Sequence, residues 1–386
     1  MTSEPTIIHS ATLIDNGLER ANSWIAFDGG IITRTGTGTD WRQLMADDPG
    51  YDVVDATGYI LTPGFIDIHT HGGAGHNFDE GSAAFDAAIR MHRSRGTTRL
   101  VISLVTNPLD TMVALTEQVA SRAAVDHHVL GVHLEGPFLS ALHKGAHNER
   151  LLHAATTAEL DRLLKAANGY LRQITLAPEL DGGLDAVRHM VTNGVAVAVG
   201  HSDASYEQTT EAFEAGASIL THAFNGMNGI HHRAPGPVLA AFDHDGVTLE
   251  VIADGIHLRP EVISMVFGQA PGRVALITDA MAATGVGDGH YTLGELDVTV
   301  TDGVARLTEG GSIAGSTLTL DQALRTAVLR SGVSLPNAVT ALTSAPARAL
   351  GVDDRLGHLQ PGYAADAVLL TPELEVARVW AAGVEA

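Results

Sequence analysis

The sequence predicts an α/β protein, a (β/α)8 barrel of the TIM type with a small β-sandwich domain formed by both chain ends. Eight short β-rich runs recur between residues 64 and 278, and segments of helical composition separate most of them. Strands that alternate with helices favour parallel pairing through right-handed crossovers, and eight such units match the barrel. The runs lie at residues 64–69, 100–105, 129–134, 173–176, 195–199, 218–220, 247–252 and 274–278.

The polar residues that end the runs distinguish this barrel from a doubly wound open sheet. Six of the eight runs finish in groups that contain His, Asp, Glu or Asn. Barrel active sites are assembled from the carboxyl ends of many strands, whereas an open sheet concentrates its site near one switch point. Because the polar endings are spread over so many runs, they favour the barrel.

Both ends of the chain differ from its middle. Residues 5–60 and the tail from 357 alternate apolar and polar residues between Gly and Asp turns, which is typical of antiparallel strands. We therefore expect β-sandwich parts at 1–61 and 356–386 around a barrel at 62–355. After the eighth run we expect a β-rich insert at 291–307, a helix at 318–331 and a helical segment at 336–350.

The composition excludes several classes of function. The 386 residues include 23 Lys and Arg against 45 Asp and Glu, and the net charge of −22 argues against nucleic acid or an anionic membrane as a partner. No Cys is present, which excludes disulfides, thiolate metal sites and a cysteine nucleophile. Because the sequence shows neither a secretory signal nor an apolar run of membrane-spanning length, we expect a cytoplasmic protein.

Histidine is abundant, with 20 residues in an acidic chain, and this abundance points towards metal binding. His69 and His71 end the first run, and residues two apart in a strand point to the same face. Imidazoles suit Zn, Fe and similar ions. The alternative is a pair of solvated or hydrogen-bonded histidines. The apolar strand before the pair, and Gly72 and Gly73 after it, favour the ligand role.

Three further candidate ligands follow other strands. Glu135 comes after the third run, where a carboxylate is costly unless it is paired or binds a metal. A capping or ion-paired Glu is the alternative, which Gly136 and Pro137 disfavour because they force a turn. His201 and His222 end the fifth and sixth runs, and either one alone would be taken as a core histidine. Four His and one Glu at four strand ends instead predict a catalytic metal site.

Asp279 ends the eighth run and is the candidate general base. In metal-assisted hydrolysis, a carboxylate near the activated water is expected to take up its proton. The alternative for Asp279 in isolation is the N-cap of a helix. Its position at the same edge of the barrel as the candidate ligands favours the catalytic role.

Several motifs together are more specific than any single residue. They are PGFIDIHTHG (63–72), HLEGPF (133–138), KGAH (144–147), GHSDA (200–204), THAFNGM (221–227), ADGIH (253–257), ITDAM (277–281), GSIAGSTLTL (311–320), SAPARALG (344–351) and GHLQPGYAADAVLL (357–370). With these motifs the chain resembles the amidohydrolase superfamily and, within it, the N-acetylglucosamine-6-phosphate deacetylase family, from about residue 5 to the end. H-x-H and the tail indicate only the superfamily, whereas EGPF, KGAH, THAFNGM and DGIH together indicate the deacetylases.

The resemblance implies roles for the matching positions. Glu135, His201 and His222 correspond to the main metal ligands of the family. Asp279 corresponds to its catalytic acid–base, and His147 corresponds to a catalytic-site histidine near the acetamide carbonyl.

A second ion and a set of substrate contacts are also implied. Some members of the family have Gln at the position of His71 and hold one metal. Because this chain has His there, a second ion held by His69, His71 and the shared Glu135 is expected. The positions that match substrate contacts are Ala146, Asn225, Gly226, Arg233, Asp254, His257, Ile313, Ala314 and Gly315.

The cofactor, substrate and partner expected from the resemblance are as follows. The cofactor is one or two divalent metal ions per subunit, with Zn expected first and Fe, Mn or Co as alternatives. The substrate is a small phosphorylated amino sugar, N-acetyl-D-glucosamine 6-phosphate, which is hydrolysed to glucosamine 6-phosphate and acetate in amino-sugar catabolism and cell-wall sugar recycling. Arg233 corresponds to a residue that reaches the phosphate in the neighbouring subunit, which implies a homodimer.

Two alternatives remain beside this expectation. One is another metal-dependent amidohydrolase that acts on a different N-acyl or cyclic amide substrate. Many such enzymes bridge two metals with a carboxylated Lys after strand four, but here that run ends in Ala177, Pro178 and Glu179. The other is a barrel scaffold that has lost catalysis, which the retention of all candidate ligands and Asp279 disfavours.

Overall fold

The structure, a computed structural model, describes residues 4–47 and 49–386. The chain begins in a β-sheet. Its first elements are β1 (Thr6–Asp15), β2 (Leu18–Asp28), β3 (Ile31–Thr37), α1 (Trp41–Asp47), β4 (Asp52–Asp55) and β5 (Ile60–Pro63). β1 pairs antiparallel with β2 and parallel with β4 and β5, so it lies at the centre of this sheet.

Helix α1 corrects one expectation, because residues 5–60 were expected to contain only strands and turns. The helix has seven residues, and the spacing of Trp41, Leu44 and Met45 places them on one helical face. This face packs on Ile7 and Trp24 of the sheet. The Trp41 ring also stacks on the His9 ring, with centroids 4.0 Å apart. Contacts with the sheet therefore stabilise a helix too short to form alone.

Eight parallel strands form the barrel, which confirms the predicted fold class. They are paired in sequence order, and each overlaps one of the eight predicted runs. The strands are β6 (Phe65–Thr70), β9 (Thr97–Val105), β10 (Val129–Glu135), β11 (Leu171–Leu176), β12 (Ala196–Val199), β13 (Ile219–Leu220), β14 (Thr248–Ile252) and β15 (Val274–Ile277). Almost every residue of these strands is buried, as expected for strands covered on both faces.

Hydrogen bonds accepted by Asp67 and His69 connect the first strand of the barrel to the residues after its last strand. The Thr278 hydroxyl donates to Oδ2 of Asp67 over 2.6 Å. The backbone N–H of Asp279 donates to the carbonyl oxygen of His69 over 2.9 Å. Burial raises the pKa of Asp67 to about 7, although its hydrogen bonds from Thr278 and His69 act in the opposite direction. These bonds fix Asp279 beside the two histidines that end β6.

Helices surround the barrel and cover the outer face of its strands. They are α2 (Ser82–Ser94), α3 (Leu109–Ala123), α4 (Thr157–Ala167), α5 (Gly183–Thr192), α6 (Tyr206–Glu214), α7 (Gly236–Phe242) and α8 (Pro260–Gln269). A two-stranded hairpin, β7 (Gly72–Gly73) and β8 (His76–Asn77), follows β6, and short 3-10 helices occupy Phe78–Glu80, Ala141–His143 and Glu149–Leu151. Within residues 4–47 and 49–386, none of the helices combines the length and apolar character needed to cross a bilayer.

The elements after β15 follow the expected order. The insert is a three-stranded antiparallel sheet of β16 (Gly289–Leu293), β17 (Leu296–Thr301) and β18 (Val304–Leu307). The helix expected at 318–331 begins at Leu320, as α9 (Leu320–Arg325), and continues as a π-helical segment (Thr326–Arg330). The segment expected at 336–350 is divided into α10 (Leu335–Leu342) and α11 (Ser344–Ala349).

The last strands return to the first sheet, so both chain ends form one β-domain, as predicted. These strands are β19 (Ala367–Leu370), β20 (Val376–Ala381) and β21 (Val384–Glu385), and β19 pairs antiparallel with β5. The sheet curls until β3 meets the segment that leads into β19. There the N–H of Ile32 donates to the Tyr363 carbonyl over 2.8 Å, and the N–H of Ala365 donates to the Gly30 carbonyl over 2.8 Å. The curled sheet encloses an apolar core separate from that of the barrel.

A buried ion pair joins the β-domain to the barrel. Nε and Nη2 of Arg99, on β9, donate to the two carboxylate oxygens of Asp366 over 2.6 and 3.0 Å. Asp366 immediately precedes β19 and also accepts the N–H of Ala382 over 2.7 Å. Both charged side chains are almost fully buried. The pair therefore fixes β19 and β20 against the barrel, while the predicted domain limits at 61/62 and 355/356 stay predictions.

Replacing Asp366 by Ala should lower the free energy of unfolding by about 3–5 kcal/mol, because Arg99 would keep a buried charge with no opposite charge beside it. The measurement is denaturant unfolding followed by circular dichroism. Glu385→Ala is the matched control. It removes the more exposed pair of Glu385 with Arg378, which should cost less than about 1 kcal/mol. Equal losses for the two variants would contradict a structural role for the buried pair.

Candidate metal and catalytic site

His69 and His71 lie at the carboxyl end of β6 and face the same point inside the barrel mouth. Their Nε2 atoms are 3.1 Å apart, and both side chains are buried. Nδ1 of His69 is held by Oε2 of Glu250 over 3.0 Å. Nδ1 of His71 is buried without a hydrogen-bond partner among the described residues. The alternation of the strand therefore places both rings on one face, as the sequence predicted.

Glu135, His201 and His222 meet beside this pair. Nε2 of His201 is 3.2 Å from Oε1 of Glu135, and Nε2 of His222 is 3.1 Å from the same oxygen. The two Nε2 atoms are 3.0 Å apart. The second carboxylate oxygen, Oε2, is 3.2 Å from Nε2 of His71. Glu135 thus lies between the two histidine pairs and can bind an ion with either.

Three of the site residues have left-handed backbone conformations. The φ angles are 46° for His201, 25° for His222 and 50° for Asp279. Such angles cost roughly 1–3 kcal/mol in residues other than Gly and persist where the surroundings enforce them. Each of these residues directly follows or lies near the end of a barrel strand, where the turn directs its side chain over the barrel mouth.

The orientation of the imidazoles fits a divalent metal ion. Nδ1 of His201 contacts the His143 carbonyl over 2.8 Å, and Nδ1 of His222 contacts the Asn225 carbonyl over 3.1 Å. Because a carbonyl can only accept, each Nδ1 carries the proton and each Nε2 presents a lone pair. Several lone pairs that converge next to a carboxylate repel one another unless a cation lies among them. This donor set suits a metal.

Two overlapping groups have the ligand atoms close enough to hold an ion. One consists of His69, His71, Glu135 and Asp279, and the other of Glu135, His147 and His201. His222 adjoins the second group through its contacts with Glu135 and His201. The chain therefore presents a divalent-metal site, and which residues act as ligands stays a prediction.

The ionisation of Glu135 and Asp279 reflects the surrounding histidines. Burial alone would raise the pKa of Glu135, but the histidines around it, with His69 first and then His201 and His222, hold this pKa well below its usual range. Burial would likewise raise the pKa of Asp279, yet the hydrogen bond from His71 and the nearby histidine charges lower it to about 2. Both carboxylates are therefore ionised at neutral pH.

His147 is held beside the same carboxylate but in the neutral form. Its Nε2 is 3.7 Å from Oε2 of Glu135, and its Nδ1 is 2.9 Å from the hydroxyl of Thr106. Burial, and after it the neighbouring ring of His201, lower the pKa of His147 to about 3. A neutral imidazole oriented by Thr106 can donate one hydrogen bond into the site.

A cavity of about 330 Å³ opens above the histidine cluster. Six of the nine predicted substrate contacts line it, together with the candidate ligands other than His69. The six are Ala146, Asn225, Gly226, His257, Ile313 and Gly315. Val105, Ser312 and Leu293 also contribute to its wall and were not predicted. The volume suits a small polar molecule of a few rings at most.

The other three predicted contacts lie outside this lining. Ala314 is buried in the apolar cluster beneath the insert. Asp254 holds His257 in place, with Oδ2 2.7 Å from Nδ1 of that ring. Arg233 is exposed, and its Nη1 lies 2.7 Å from Nε2 of His232. Within one chain, Asp254 therefore contacts His257 and does not line the cavity, and the predicted role of Arg233 would require a second subunit.

Three buried polar residues below the histidines were not predicted as part of the site. Glu250 contacts His69, and Asp67 connects β6 to the residues after β15. His133 places its ring edge-to-face on His69, with centroids 4.5 Å apart, and bonds to two hydroxyls. Burial lowers the pKa of His133 well below its usual range. In the sequence, each of the three is a charged or polar residue inside an otherwise apolar run. That pattern was the signal that could have identified them.

Removing the metal should lower the thermal stability of the protein. An ion that binds only the folded chain, at 100–1,000 times its dissociation constant, stabilises it by about 3–4 kcal/mol. Zn-loaded protein treated with EDTA should therefore unfold at a lower temperature in differential scanning calorimetry, and added Zn should restore the midpoint. Glu135→Ala should unfold at a temperature that EDTA does not change. A chelator-insensitive wild-type protein would contradict the metal site.

Comparison with known proteins agrees with this geometry. The sequence pattern of the amidohydrolase family matches residues 60–385. N-acetylgalactosamine-6-phosphate deacetylase from Escherichia coli O157:H7 is 41% identical over 86% of this chain and 89% of its own. N-acetylglucosamine-6-phosphate deacetylase from Vibrio furnissii is 38% identical over 84% of this chain and 82% of its own.

A solved structure covers nearly the whole fold. It is that of a mutant N-acetyl-D-glucosamine-6-phosphate deacetylase from Mycobacterium smegmatis in complex with N-acetyl-D-glucosamine-6-phosphate. The two chains superpose with a TM-score of 0.93, at 37% identity and over 99% of each chain. The resemblance inferred from the sequence motifs is confirmed. This chain belongs to the amidohydrolase family and, within it, to the N-acetylglucosamine-6-phosphate deacetylases.

Proposed function

We propose that the protein hydrolyses the acetamide of N-acetyl-D-glucosamine 6-phosphate to glucosamine 6-phosphate and acetate. The observation that carries this proposal is the meeting of Glu135, His201 and His222 with Asp279 at the floor of one small cavity. A metal-ligand set next to an ionised carboxylate suits hydrolysis of an unactivated amide. The relatives named above are deacetylases of N-acetylated sugar phosphates, and they indicate that this amide is the acetamide of such a sugar.

Glu135, His201 and His222 would hold the main ion, and His69 and His71 would hold a second one with the shared Glu135. A divalent ion bound there lowers the pKa of water and polarises an amide carbonyl. Zn is the proposed ion because imidazole and carboxylate donors suit it, and Fe, Mn or Co are alternatives with the same donors.

Asp279 is proposed to move the proton. Its Oδ1 lies 3.2 Å from Nε2 of His71, at the floor of the cavity, and it is ionised at neutral pH. An ionised carboxylate there can accept a proton from the attacking water and return it to the nitrogen that leaves. Without that transfer the amine departs as a poor leaving group, so the same residue serves as base and then as acid.

His147 is proposed to stabilise the negative charge that develops on the carbonyl oxygen. The role requires the neutral tautomer that carries its proton on Nε2, the nitrogen that faces Glu135 and the site, while Nδ1 contacts the Thr106 hydroxyl. A donor fixed in this direction favours the charge-separated transition state over the neutral amide.

The sugar and its phosphate are proposed to bind around the cavity. His257 lines the cavity, and the hydrogen bond and charge of Asp254 raise the pKa of His257 even though burial acts against this. An imidazole of raised pKa suits a phosphorylated ligand. Arg233 is proposed to reach the phosphate in the neighbouring subunit of a homodimer, since its forked guanidinium suits phosphate and it lies outside its own cavity.

The proposed setting is the cytoplasm, which the absence of Cys supports. There the reaction would serve amino-sugar catabolism and recycling of cell-wall sugars. The relative named N-acetylgalactosamine-6-phosphate deacetylase makes the C4 epimer a second candidate substrate. A substrate panel that contains both sugar phosphates decides between them.

Asp279→Asn should lower kcat by about 10²–10⁴-fold, because the amide of Asn cannot take up the proton of the attacking water. Acetate release from N-acetyl-D-glucosamine 6-phosphate is the measurement, with metal content determined on the same sample. Asp185→Asn, exposed on α5, is the control and should retain wild-type turnover. Near-normal turnover by Asp279→Asn would exclude the acid–base assignment.

Arg233→Ala should raise KM for the phosphorylated sugar by about 10–100-fold, because a charge-assisted hydrogen bond contributes roughly 1.5–3 kcal/mol. Activity on unphosphorylated N-acetylglucosamine should stay the same. Arg162→Ala, exposed on α4, is the control for loss of a surface charge. An unchanged KM, or a wild-type protein that sediments as a monomer, would refute the proposed contact across the dimer.

A further inference from the structure

Glu250 is a carboxylate in the middle of a buried barrel strand. It lies on β14, between Leu249 and Val251, and its side chain is fully buried. An ionised carboxylate in such a position is strongly destabilising unless it is paired or fully hydrogen-bonded. The groups that surround it therefore indicate why the barrel retains it.

The partners of Glu250 all belong to the site or to the strands beneath it. Oε2 accepts from Nδ1 of His69 over 3.0 Å and from the backbone N–H of His222 over 3.2 Å. Oε1 accepts from Nε2 of Gln173 over 2.7 Å. Among residues 4–47 and 49–386, His69 is its one ion-pair partner. A single carboxylate thus contacts a histidine from each of the two pairs around Glu135.

The contact with His69 determines what this histidine can bind. Because the carboxylate only accepts, Nδ1 of His69 carries the proton and Nε2 presents its lone pair. That Nε2 is 3.5 Å from both Oε1 of Glu135 and Oδ1 of Asp279. A charged partner behind an imidazole also makes the ring a stronger donor to a metal. His201 and His222 have only neutral carbonyls in the corresponding position.

The His69–His71 pair depends more on this support than the other pair does. His71 lacks a hydrogen-bond partner at Nδ1 among the described residues, so none of them holds this ring from the side away from the site. His69 is therefore the only histidine of this pair whose orientation is secured from behind. The alternative tautomer of His69 would direct an N–H, instead of a lone pair, at its neighbours.

We infer that Glu250 is a positioning residue that enables the His69–His71 pair to hold an ion in addition to the one held by Glu135, His201 and His222. This inference rests on the proposed metal-dependent function, since both concern the same centre. Glu250 acts through His69 and contacts neither the substrate cavity nor the reacting atoms. Its bond to the His222 backbone links the two ion positions.

Two substitutions separate the contributions of Glu250. Glu250→Leu keeps a similar volume and removes both the charge and the acceptor, whereas Glu250→Gln keeps an acceptor oxygen for Nδ1 of His69. Glu261→Gln is the matched control, because Glu261 is exposed on α8 and pairs only with Arg259 among the described residues. All three are measured with Zn and Co in competition with a chromophoric chelator, and Co absorption spectra report the geometry of each site.

Glu250→Leu should weaken the binding of one ion by about 10–100-fold, the usual effect of removing a partner that orients a metal-bound histidine. The other ion should stay within about threefold of wild type, and Glu250→Gln should lie between wild type and Glu250→Leu. Wild-type affinity in Glu250→Leu, equal losses in both variants, or a single ion site that neither variant alters would overturn the inference.

Folding and activity are measured separately to keep the result decisive. Far-UV circular dichroism shows whether each variant is folded. Should Glu250→Leu fail to fold, weaker ion binding and an altered Co spectrum in Glu250→Gln support the inference, and wild-type binding by Glu250→Gln overturns it. Because ion binding is measured without substrate, wild-type protein that binds two ions but releases no acetate refutes the proposed function and leaves this inference standing.

Discussion

The convergence of imidazoles on one buried carboxylate is the constraint on which the rest of the site depends. Glu135 sits at the end of β10, and every nearby ring directs Nε2 at it. The distances are 3.5 Å for His69, 3.2 Å for His71, 3.7 Å for His147, 3.2 Å for His201 and 3.1 Å for His222. These side chains come from separate elements, so the carboxyl ends of the strands must meet within a few ångströms. A closed barrel satisfies that demand, because it directs all its strand ends to one rim.

This arrangement is accompanied by a layer of buried polar residues inside the barrel. Barrels are usually filled with aliphatic side chains, but here Asp67, His133, Glu250 and Gln173 occupy the region below the candidate ligands. Their contacts form a continuous network, in which hydroxyls of Ser103 and Thr175 satisfy both ring nitrogens of His133. Oε1 of Gln173 is buried without a hydrogen-bond partner among the described residues, but the bonds made by the other polar atoms restrict the motion of the histidines above them.

The sequence predicted the parts of the molecule that repeat along the chain and the parts that two nearby residues indicate together. Eight strand runs were predictable because they are apolar on both faces, and the H-x-H spacing placed His69 and His71 on one face. Helix α1 was missed because seven residues inside a β-rich region give too short a helical pattern. Glu250 was missed because the residues it contacts, Gln173 and His69, lie 77 and 181 residues away in the sequence.

The positions of Asp254 and Arg233 show a different limit. A motif can identify residues near a ligand without showing which of them contact it directly. Asp254 turns towards His257 because a carboxylate three residues before an imidazole can close a local turn with two backbone N–H groups. Arg233 lies on an exposed loop, so the direction of its side chain depends on what packs against that loop. The sequence of a single chain carries no information about that packing.

The pairing of β5 with β19 has a consequence for how the chain is made. The ribosome produces residues 60–63 more than 300 residues before their partners at 367–370, and the whole barrel is synthesised in between. Until then β5 presents an open edge with unpaired N–H and C=O groups, which is a template for unwanted association. The β-domain can therefore be completed only after the whole barrel has been synthesised.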